Sequence, residues 1–462
     1  MKFKISTYTA LLAVILTLAS CSQDAQVGSG FAADSERIFF RSYLPGISPT
    51  RAGVTSTENL SECHVTCLNP NDTTLIDSQS GKMKPYFSDM RFEKDDDGRF
   101  LALESDTSVW PAAKSRLHFF AYHPSAETMQ NKIDTEKFNL VNRSITSNEE
   151  TVIDYRMESF RVPRNIEDHV DFISAYSDGT QQANGSTGIE LNFRHNLARI
   201  ELMAWSQNKR YGIEIAGVRI GNAISEGDFN FSSLTTGQPG EWINTEGHQS
   251  VVEHIFGEGE SIVYLSKNPE NHTDKEHAAS IMGTAGPAMV IPMTERIEAW
   301  GGLEDPGLET EQYTTDKLYF SVLLRVKNWA DEMVYPYRDD KYNIPKVYLA
   351  VGNDGKIIRR VYKKGNEYYT ADDENDELKY YPTETEEILD FCWAALPVAA
   401  KWEAGKIYTY KLNYTNGIGW HDPSYPIPGN PIIDERVGVN VEVTDWKDGT
   451  NPSMNDITVP RK

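Results

Sequence analysis

The chain has 462 residues, with 68 acidic against 45 basic side chains and a formal net charge of −23. A chain this acidic is repelled by phosphate backbones, which argues against nucleic acid as a partner. Its length exceeds what a single core organises, so two domains are expected, with three as the alternative.

The first 20 residues read as a signal peptide, with Lys2 and Lys4 as a short positive region and an apolar stretch from Ala10 to Ala19. That stretch is about half of the ~20 residues a membrane-spanning helix needs. It ends in Leu18-Ala19-Ser20-Cys21, an order that resembles the lipobox of bacterial lipoproteins. In a lipobox, small residues before the cysteine suit the signal peptidase and the thiol takes a diacylglyceryl group. Cys21 is therefore the expected lipidation site; the alternative is an ordinary secretory signal with a chance cysteine. Acyl chains hold a protein on a membrane at about 0.8 kcal/mol per buried methylene.

Beyond Cys21 the chain reads as all-β, with no long amphipathic helix. Ile38 to Leu44 predicts a first strand. Tyr86 to Glu93 and Arg99 to Leu103 predict a hairpin turning at Asp95-Asp96-Asp97-Gly98. Arg116 to Tyr122, Val170 to Tyr176, Gly188 to His195 and Leu197 to Trp205 predict further strands. Tyr211 to Ile220 alternates and then changes phase at Ala216-Gly217, as a β-bulge would. Lys346 to Arg360 predicts a hairpin at Asn353-Asp354-Gly355. Ile407 to Tyr414 alternates again, and Val437, Val439, Val441 and Val443 form the cleanest alternation in the chain. Many short strands with turn chemistry between them argue for β-sandwiches.

The polar, Gly-rich segment Ser177 to Gly188 is the expected interdomain linker. It divides an N-terminal domain, 21–187, from a C-terminal one, 188–462. The acidic stretch from Thr370 to Glu387 reads as a solvated insertion in the second. His421 to Pro431 carries several prolines and is expected to cross between strands rather than sit inside a sheet.

Cysteine usage gives no framework, since Cys63, Cys67 and Cys392 are an odd number once Cys21 is set aside. On a strand, Cys63 and Cys67 would lie roughly 13 Å apart. That is beyond both a disulfide and one zinc ion. No metal and no cofactor are expected. Nucleophile-elbow, phosphate-loop and zinc-protease motifs are missing from the sequence, and no catalytic residue is assigned. His195, after an apolar strand, reads as a hydrogen-bonded structural residue.

Several short motifs together resemble the fimbrillin-like lipoproteins of Gram-negative gut and oral anaerobes. They are Thr50-Arg51-Ala52 after the first strand, Val109-Trp110-Pro111, the aromatic strand from Leu117 to Pro124, and Leu191-Asn192-Phe193-Arg194-His195 running on to Ile200. Later landmarks are Val290-Ile291-Pro292, the run from Trp402 to Tyr410, and a closing strand at Trp446. The resemblance implies two tandem transthyretin-like β-sandwiches and a shaft, tip or anchor role in surface fimbriae at the outer membrane. For the family's polymerising subunits it also implies cleavage by an Arg- or Lys-specific protease after the first strand, here between Arg51 and Ala52, whereas anchor subunits keep their lipid uncut; the alternative reading of Arg51 is a plain surface charge. The groove so opened would accept a strand from another subunit. Arg37 and Arg41, beside or within the first strand, are poorer sites. Val437, Val439, Val441 and Val443 then mark a donor strand or the closing strand of the chain's own domain. The alternative function is glycan capture at the cell surface. Trp300 and Trp420, in Gly-rich loops, are the tryptophans to suspect for it. An exposed coplanar aromatic pair would favour that alternative.

Overall fold

In the computed structural model of the protein, the residues described are 36–44, 55, 59–70, 72–75, 84–103, 108–111, 114–133, 139–147, 150–231, 240–265, 274–301, 317–337, 342–370, 378–433, 437–445 and 453–455. Cys21, Arg51, Ala52 and Trp446 lie outside them. The fold is all-β, and the helices among the described residues are short.

The first part of the chain runs β1 (Phe40–Tyr43), β2 (Glu62–Leu68), β3 (Phe87–Lys94), β4 (Arg99–Ala102), β5 (Leu117–His123), α1 (Ala126–Ile133), β6 (Asn139–Ser147), β7 (Glu150–Arg161), β8 (Ile173–Gly179), α2 (Gln181–Asn184), β9 (Ile189–Asn192) and β10 (Arg194–His195). The predicted β3–β4 turn forms as its chemistry dictates. Asp95 accepts the N–H groups of Asp97 and Arg99, at 3.0 and 2.8 Å, while Gly98 takes a positive φ of 75°. Ser125 caps α1 by accepting the Thr128 N–H at 3.0 Å.

Eight of these strands make one sheet in the order β10-β8-β5-β2-β3-β4-β1-β9. Only Phe193 separates β9 from β10, so the two ends of that order are one nearly continuous stretch of chain and the sheet curls back on itself. Side chains alternate across it. Phe119 of β5 points into an inner core with Phe40, Val65, Phe92 and Leu191, whereas Phe120 points outward into a second core. Burial on both faces explains why β5 reads as a continuous apolar run. The Gly-rich segment from Ser177 to Gly188 finishes β8, forms α2 and leads into β9, so it connects strands of this one sheet. Gly188 has a φ of +77°, and a Cβ there would stand 2.4 Å from the Phe39 ring.

The remaining strands are β11 (Ala198–Trp205), β12 (Tyr211–Ile224), β13 (Glu226–Asn230), β14 (Glu241–Ile243), β15 (Gln249–Ile255), β16 (Val263–Leu265), β17 (Ala279–Ser280), β18 (Ala288–Val290), β19 (Tyr319–Asn328) and β20 (Met333–Tyr335). They continue as β21 (Val347–Gly352), β22 (Ile357–Lys364), β23 (Glu367–Thr370), β24 (Leu378–Tyr380), β25 (Glu386–Pro397), β26 (Lys406–Asn413), β27 (Trp420–His421), β28 (Gly438–Asp445) and β29 (Ser453–Asn455). A 6-stranded sheet runs β17-β11-β26-β28-β29 with β18 also on β11. An 11-stranded sheet runs β15-β12-β19-β25-β21-β22-β23-β24, with β16, β20 and β27 as side branches. The two share one apolar cluster, in which the Phe320 and Tyr410 rings meet edge-on at 4.8 Å. A 4-stranded sheet, β14-β13-β7-β6, takes β6 and β7 from before residue 188 and β13 and β14 from after it. Phe172, Phe229 and Trp242 pack beneath it, and the Trp242 indole donates to the Asn196 carbonyl at 2.7 Å.

The phase change predicted in β12 is a bulge. Ile215 pairs with Leu324 and Gly217 with Leu323, which leaves Ala216 as the extra residue. Of the acidic stretch expected as a solvated insertion, Thr370 ends β23, Leu378–Tyr380 is β24, and Glu386 opens β25. From the proline-rich stretch, His421 lies in β27, which pairs with Ala394 and Ala395 of β25, and Pro431 makes a single bridge to Trp420. Asp422, next to His421, is fully buried. It faces the Arg219 guanidinium at 3.4 Å, and the Ser321 hydroxyl donates to it. Arg219 also holds Glu253 at 2.7 Å and stacks over Trp393 at 4.1 Å, so this buried cation is fully partnered and pins the loop to the sheet.

Candidate functional site

The first strand is short, yet the backbone flanking it on both sides is tied to the sheet. β1 pairs antiparallel with β4 at Phe40 and Arg41, and parallel with β9 from Phe40 to Tyr43. Before the strand, Ile38 donates to the Ser108 carbonyl at 2.7 Å and Trp110 donates to the Glu36 carbonyl at 2.9 Å. The Val109-Trp110 motif thus forms part of the seat of the first strand. Beyond the strand, Phe193 donates to the Tyr43 carbonyl at 2.8 Å.

Alternate residues of this segment fill the inner core. Ile38, Phe40 and Leu44 are at most 2% exposed, whereas Tyr43 is 61% exposed. The Phe40 ring meets Phe92 edge-on at 4.8 Å and Phe119 at 5.2 Å. Each such pair contributes about 0.5–1.5 kcal/mol beyond burial. Trp110 meets Phe119 edge-on at 6.1 Å. β1 is therefore an interior strand whose removal would bare two sheet edges and an aromatic groove.

Arg51 and Ala52 belong to the connection between Leu44 and Thr55, outside the described residues. The described chain resumes at a fixed point, where the Thr55 N–H donates to Asp171 Oδ2 at 2.8 Å and Thr55 is buried. The other Asp171 oxygen meets His195 Nδ1 at 2.9 Å, and both side chains are almost fully buried. His195 is thus a hydrogen-bonded structural residue. Arg37 bridges Val109 and Arg41 lies in β1, so the backbone of both is paired where a protease would need it extended and free.

The valine strand is seated on the chain's own sheet. Gly438 to Asp445 pair with β26 residue by residue, from Gly438 opposite Asn413 to Asp445 opposite Lys406. Val437, Val439 and Val441 are buried and Val443 is partly buried against the same cluster. Lys411 and Glu442 close an ion pair at 3.0 Å across these strands.

Cys63 and Cys67 are free and buried on β2, as strand residues, and burial pushes both thiols above their ordinary range. Among the described residues, no group of three or more His, Cys, Asp or Glu is placed to hold a metal ion. No described helix is long and apolar enough to cross a membrane. Clefts of about 210 and 220 Å³ lie beside His169 and Tyr264, below the ~300–1,000 Å³ of ordinary small-molecule sites.

The tryptophans suspected of sugar binding pack inward. Trp300 is fully buried and meets the partly buried Trp420 at 6.0 Å with the rings inclined at 73°, so they form no coplanar platform. Trp110 and Trp393 are core residues as well. Sequence reading passed over Trp329, which is 77% exposed at the β19–β20 turn. It also passed over the tyrosines and cations of β22 to β24, whose alternation resembles that of any half-buried strand.

A family model described as Fimbrillin-like matches residues 50–328. No curated protein matches the chain significantly in sequence. Among solved structures, a candidate cell adhesion protein from Bacteroides ovatus is similar at 11% identity and a TM-score of 0.36, covering 89% of this chain and 98% of that one. One from Bacteroides uniformis has 13% identity and a TM-score of 0.35 over 89% and 98%. Another, from Parabacteroides distasonis, has 10% identity and a TM-score of 0.36 over 90% and 99%.

Proposed function

Since the chain belongs to the fimbrillin-like family, we propose that it is a structural or adhesive component of surface fimbriae that joins other subunits by strand addition. In this reading the chain is exported as a lipoprotein, carries lipid on Cys21 at the outer membrane, and is cut between Arg51 and Ala52. The curled 8-stranded sheet belongs to the N-terminal sandwich. The facing 6- and 11-stranded sheets belong to the C-terminal one, with the 4-stranded sheet at their seam.

The observation that carries the reading is the seat of β1. The segment lies between β4 and β9 and sends Ile38, Phe40 and Leu44 into the core. It is joined to the rest of the chain through the stretch containing Arg51. Once that stretch is cut, only non-covalent contacts hold β1. An incoming strand would find main-chain partners on two edges and pockets for alternate side chains, the two elements of recognition by strand addition. The test is mass spectrometry of the protein recovered from the cell surface. A terminus at Ala52 fits a polymerising subunit and a lipidated Cys21 terminus an anchor. A chain that is neither lipidated nor cut there would overturn the reading.

A further inference from the structure

A cleft opens on the 11-stranded sheet where β16, β12 and β19 lie side by side. Ile213 and Ile215 of β12 are buried in the core, so Gly212 and Glu214 belong to the opposite face. On that face Tyr264 of β16 stands opposite Glu214, and Arg325 of β19 stands opposite Glu214 from the other side. Lys327 stands opposite Gly212, which has no side chain to fill the space beside it. The cleft has a volume of about 220 Å³, and Gly212, Glu214, Tyr264, Lys327 and Asp331 help to line it.

An exposed ring stands beside this cleft. Trp329 is 77% exposed, and Tyr264 is 43% exposed. One exposed ring is ordinary on a protein surface, but this one is carried by a closed turn between two residues of the cleft wall, Lys327 and Asp331. The Asn328 side chain accepts the Ala330 and Glu332 N–H groups at 2.9 and 3.0 Å and donates to the Glu332 carboxylate at 3.0 Å. In the backbone, Asn328 donates to the Glu332 carbonyl at 2.9 Å and Asp331 to the Asn328 carbonyl at 3.1 Å. A ring held on such a turn loses little freedom when it takes up a ligand.

The charges in the cleft oppose an ionic ligand. Glu214 lies 3.3 Å from Arg325 and 3.2 Å from Lys327, so two cations already share its carboxylate. Asp331 and Glu332 add acids at the turn, and the whole chain carries a net charge of −23, so an anion is repelled. A cation would meet Arg325 and Lys327 beside the same carboxylate. A peptide strand finds no free edge, because β16 and β19 flank β12 from Ile213 to Ile215. Ring faces remain, next to hydrogen-bonding groups of both kinds. The Lys327 ammonium donates, the Glu214 carboxylate accepts, and the Tyr264 hydroxyl does either.

We propose that the cleft beside Trp329 binds one neutral hexose unit of a glycan. The C–H face of the sugar lies on the indole, and its hydroxyls meet Lys327, Glu214 and the Tyr264 hydroxyl. The cleft is smaller than the ~300–1,000 Å³ that drug-sized ligands fill, which suits a single ring held against an open platform. The proposal rests on the adhesive part of the function proposed above and gives it a ligand class. Binding is measured on the uncut chain, so its failure and a failure of strand addition are read separately.

The test fixes the purified full chain on a surface and supplies albumin carrying many copies of galactose, glucose or mannose in solution, so that weak single sites add as avidity. At least one of the three is expected to bind, bare albumin is not, and the methyl glycoside of the same hexose is expected to displace it. Binding is expected to hold as salt rises from about 0.05 to 0.5 M, since screening leaves the contacts of a neutral ligand unchanged. Trp329→Ala is expected to weaken binding at least about fivefold, and Trp329→Phe less. Trp329 is not part of any core cluster, and thermal melting checks that both variants fold. Failure of all three hexoses to bind, undiminished binding by Trp329→Ala, or a steep fall with salt overturns the proposal. Equal binding of bare albumin overturns it in favour of a protein-docking surface.

Discussion

The Thr55 N–H donates to the buried Asp171 carboxylate at 2.8 Å and so fixes the chain just beyond Ala52. Upstream, β1 is held by sheet pairing and by the Phe40 ring. The stretch containing Arg51 therefore links two anchored points. Cutting it would free the upstream strand while leaving the downstream chain in place.

An Arg-specific protease is accordingly expected to clip the chain near Arg51 and to spare Arg37 and Arg41. Arg51→Ala should resist clipping there. Once β1 dissociates, the bared edges should drive oligomers, since unpaired strand edges associate. Mass spectrometry locates the cut, and size-exclusion chromatography before and after digestion reads the assembly. A clipped chain that loses β1 yet stays monomeric at high concentration would count against strand addition.

Phe40→Ala should destabilise the N-terminal sheet by about 3–5 kcal/mol, the usual cost of deleting a fully buried phenylalanine ring. Phe40 has no exposed surface and lies between Phe92 and Phe119, so the space it leaves cannot easily collapse. Denaturant titration of the N-terminal transition measures the cost. After clipping, the variant should also release its N-terminal peptide faster than the parent chain does.

Cys21→Ala is expected to abolish lipid attachment and to move the protein out of the membrane fraction, because the L-A-S-C order follows an apolar stretch of signal length. Labelling with a fatty acid followed by fractionation reads both effects. Label retained on the substituted protein would mean that lipid sits elsewhere.

Much of this architecture was legible from the strands whose two faces differ. The valines of β28, the aspartate-glycine turns and the bulge at Ala216 each carry a local signature of alternation or turn chemistry. β7 and β13 carry weaker ones. They pair across a long sequence separation, with Phe229 opposite Met157, and no local signal specifies such a partner. β25 was hidden for a different reason, since acidic residues occupy Glu386, Glu387 and Asp390 and the run is continuously apolar only from Phe391 onward. Trp300 and Trp420 sat among glycines that suggested open loops. Their burial depends on Tyr319 and Ala395, which the fold brings to them from distant strands. The seat of the first strand was half legible. Its own apolar residues could be read, but the contacts at Ser108 and Phe193 arise only from topology.

Glu260 should make the C-terminal half sensitive to acid. Burial alone would raise its pKa. Hydrogen bonds from His254, Gly257 N–H and Thr284 N–H outweigh that effect and hold the carboxyl down at about 2. A carboxylate held lower in the folded state than in the unfolded one contributes stability above its unfolded value, about 4.3, and loses it as pH falls towards 2. Melting temperature should therefore fall more steeply between about pH 4.3 and pH 2 for the parent than for Glu260→Gln, which starts less stable at neutral pH. Parallel curves through that window would show that these hydrogen bonds do not favour the charged carboxylate.

The last prediction concerns the end of the chain. Truncation before Arg436 removes Val437, Val439 and Val441, which are 9%, 8% and 3% exposed. At roughly 1.5 kcal/mol for each buried valine, their loss costs about 4–5 kcal/mol, and β26 loses its pairing along Lys406 to Asn413 as well. That is a large part of the ~5–15 kcal/mol by which domains are stable. The strand already has a home on β26, so donating it to a neighbour would forfeit this burial unless the neighbour's groove restored it. The truncated chain is therefore expected to lose the C-terminal fold, read as a lost cooperative transition in denaturant and exposure of the 6-stranded sheet to proteolysis. A truncated chain that stays a folded monomer and merely stops joining other subunits would instead identify residues 437–443 as a donor strand.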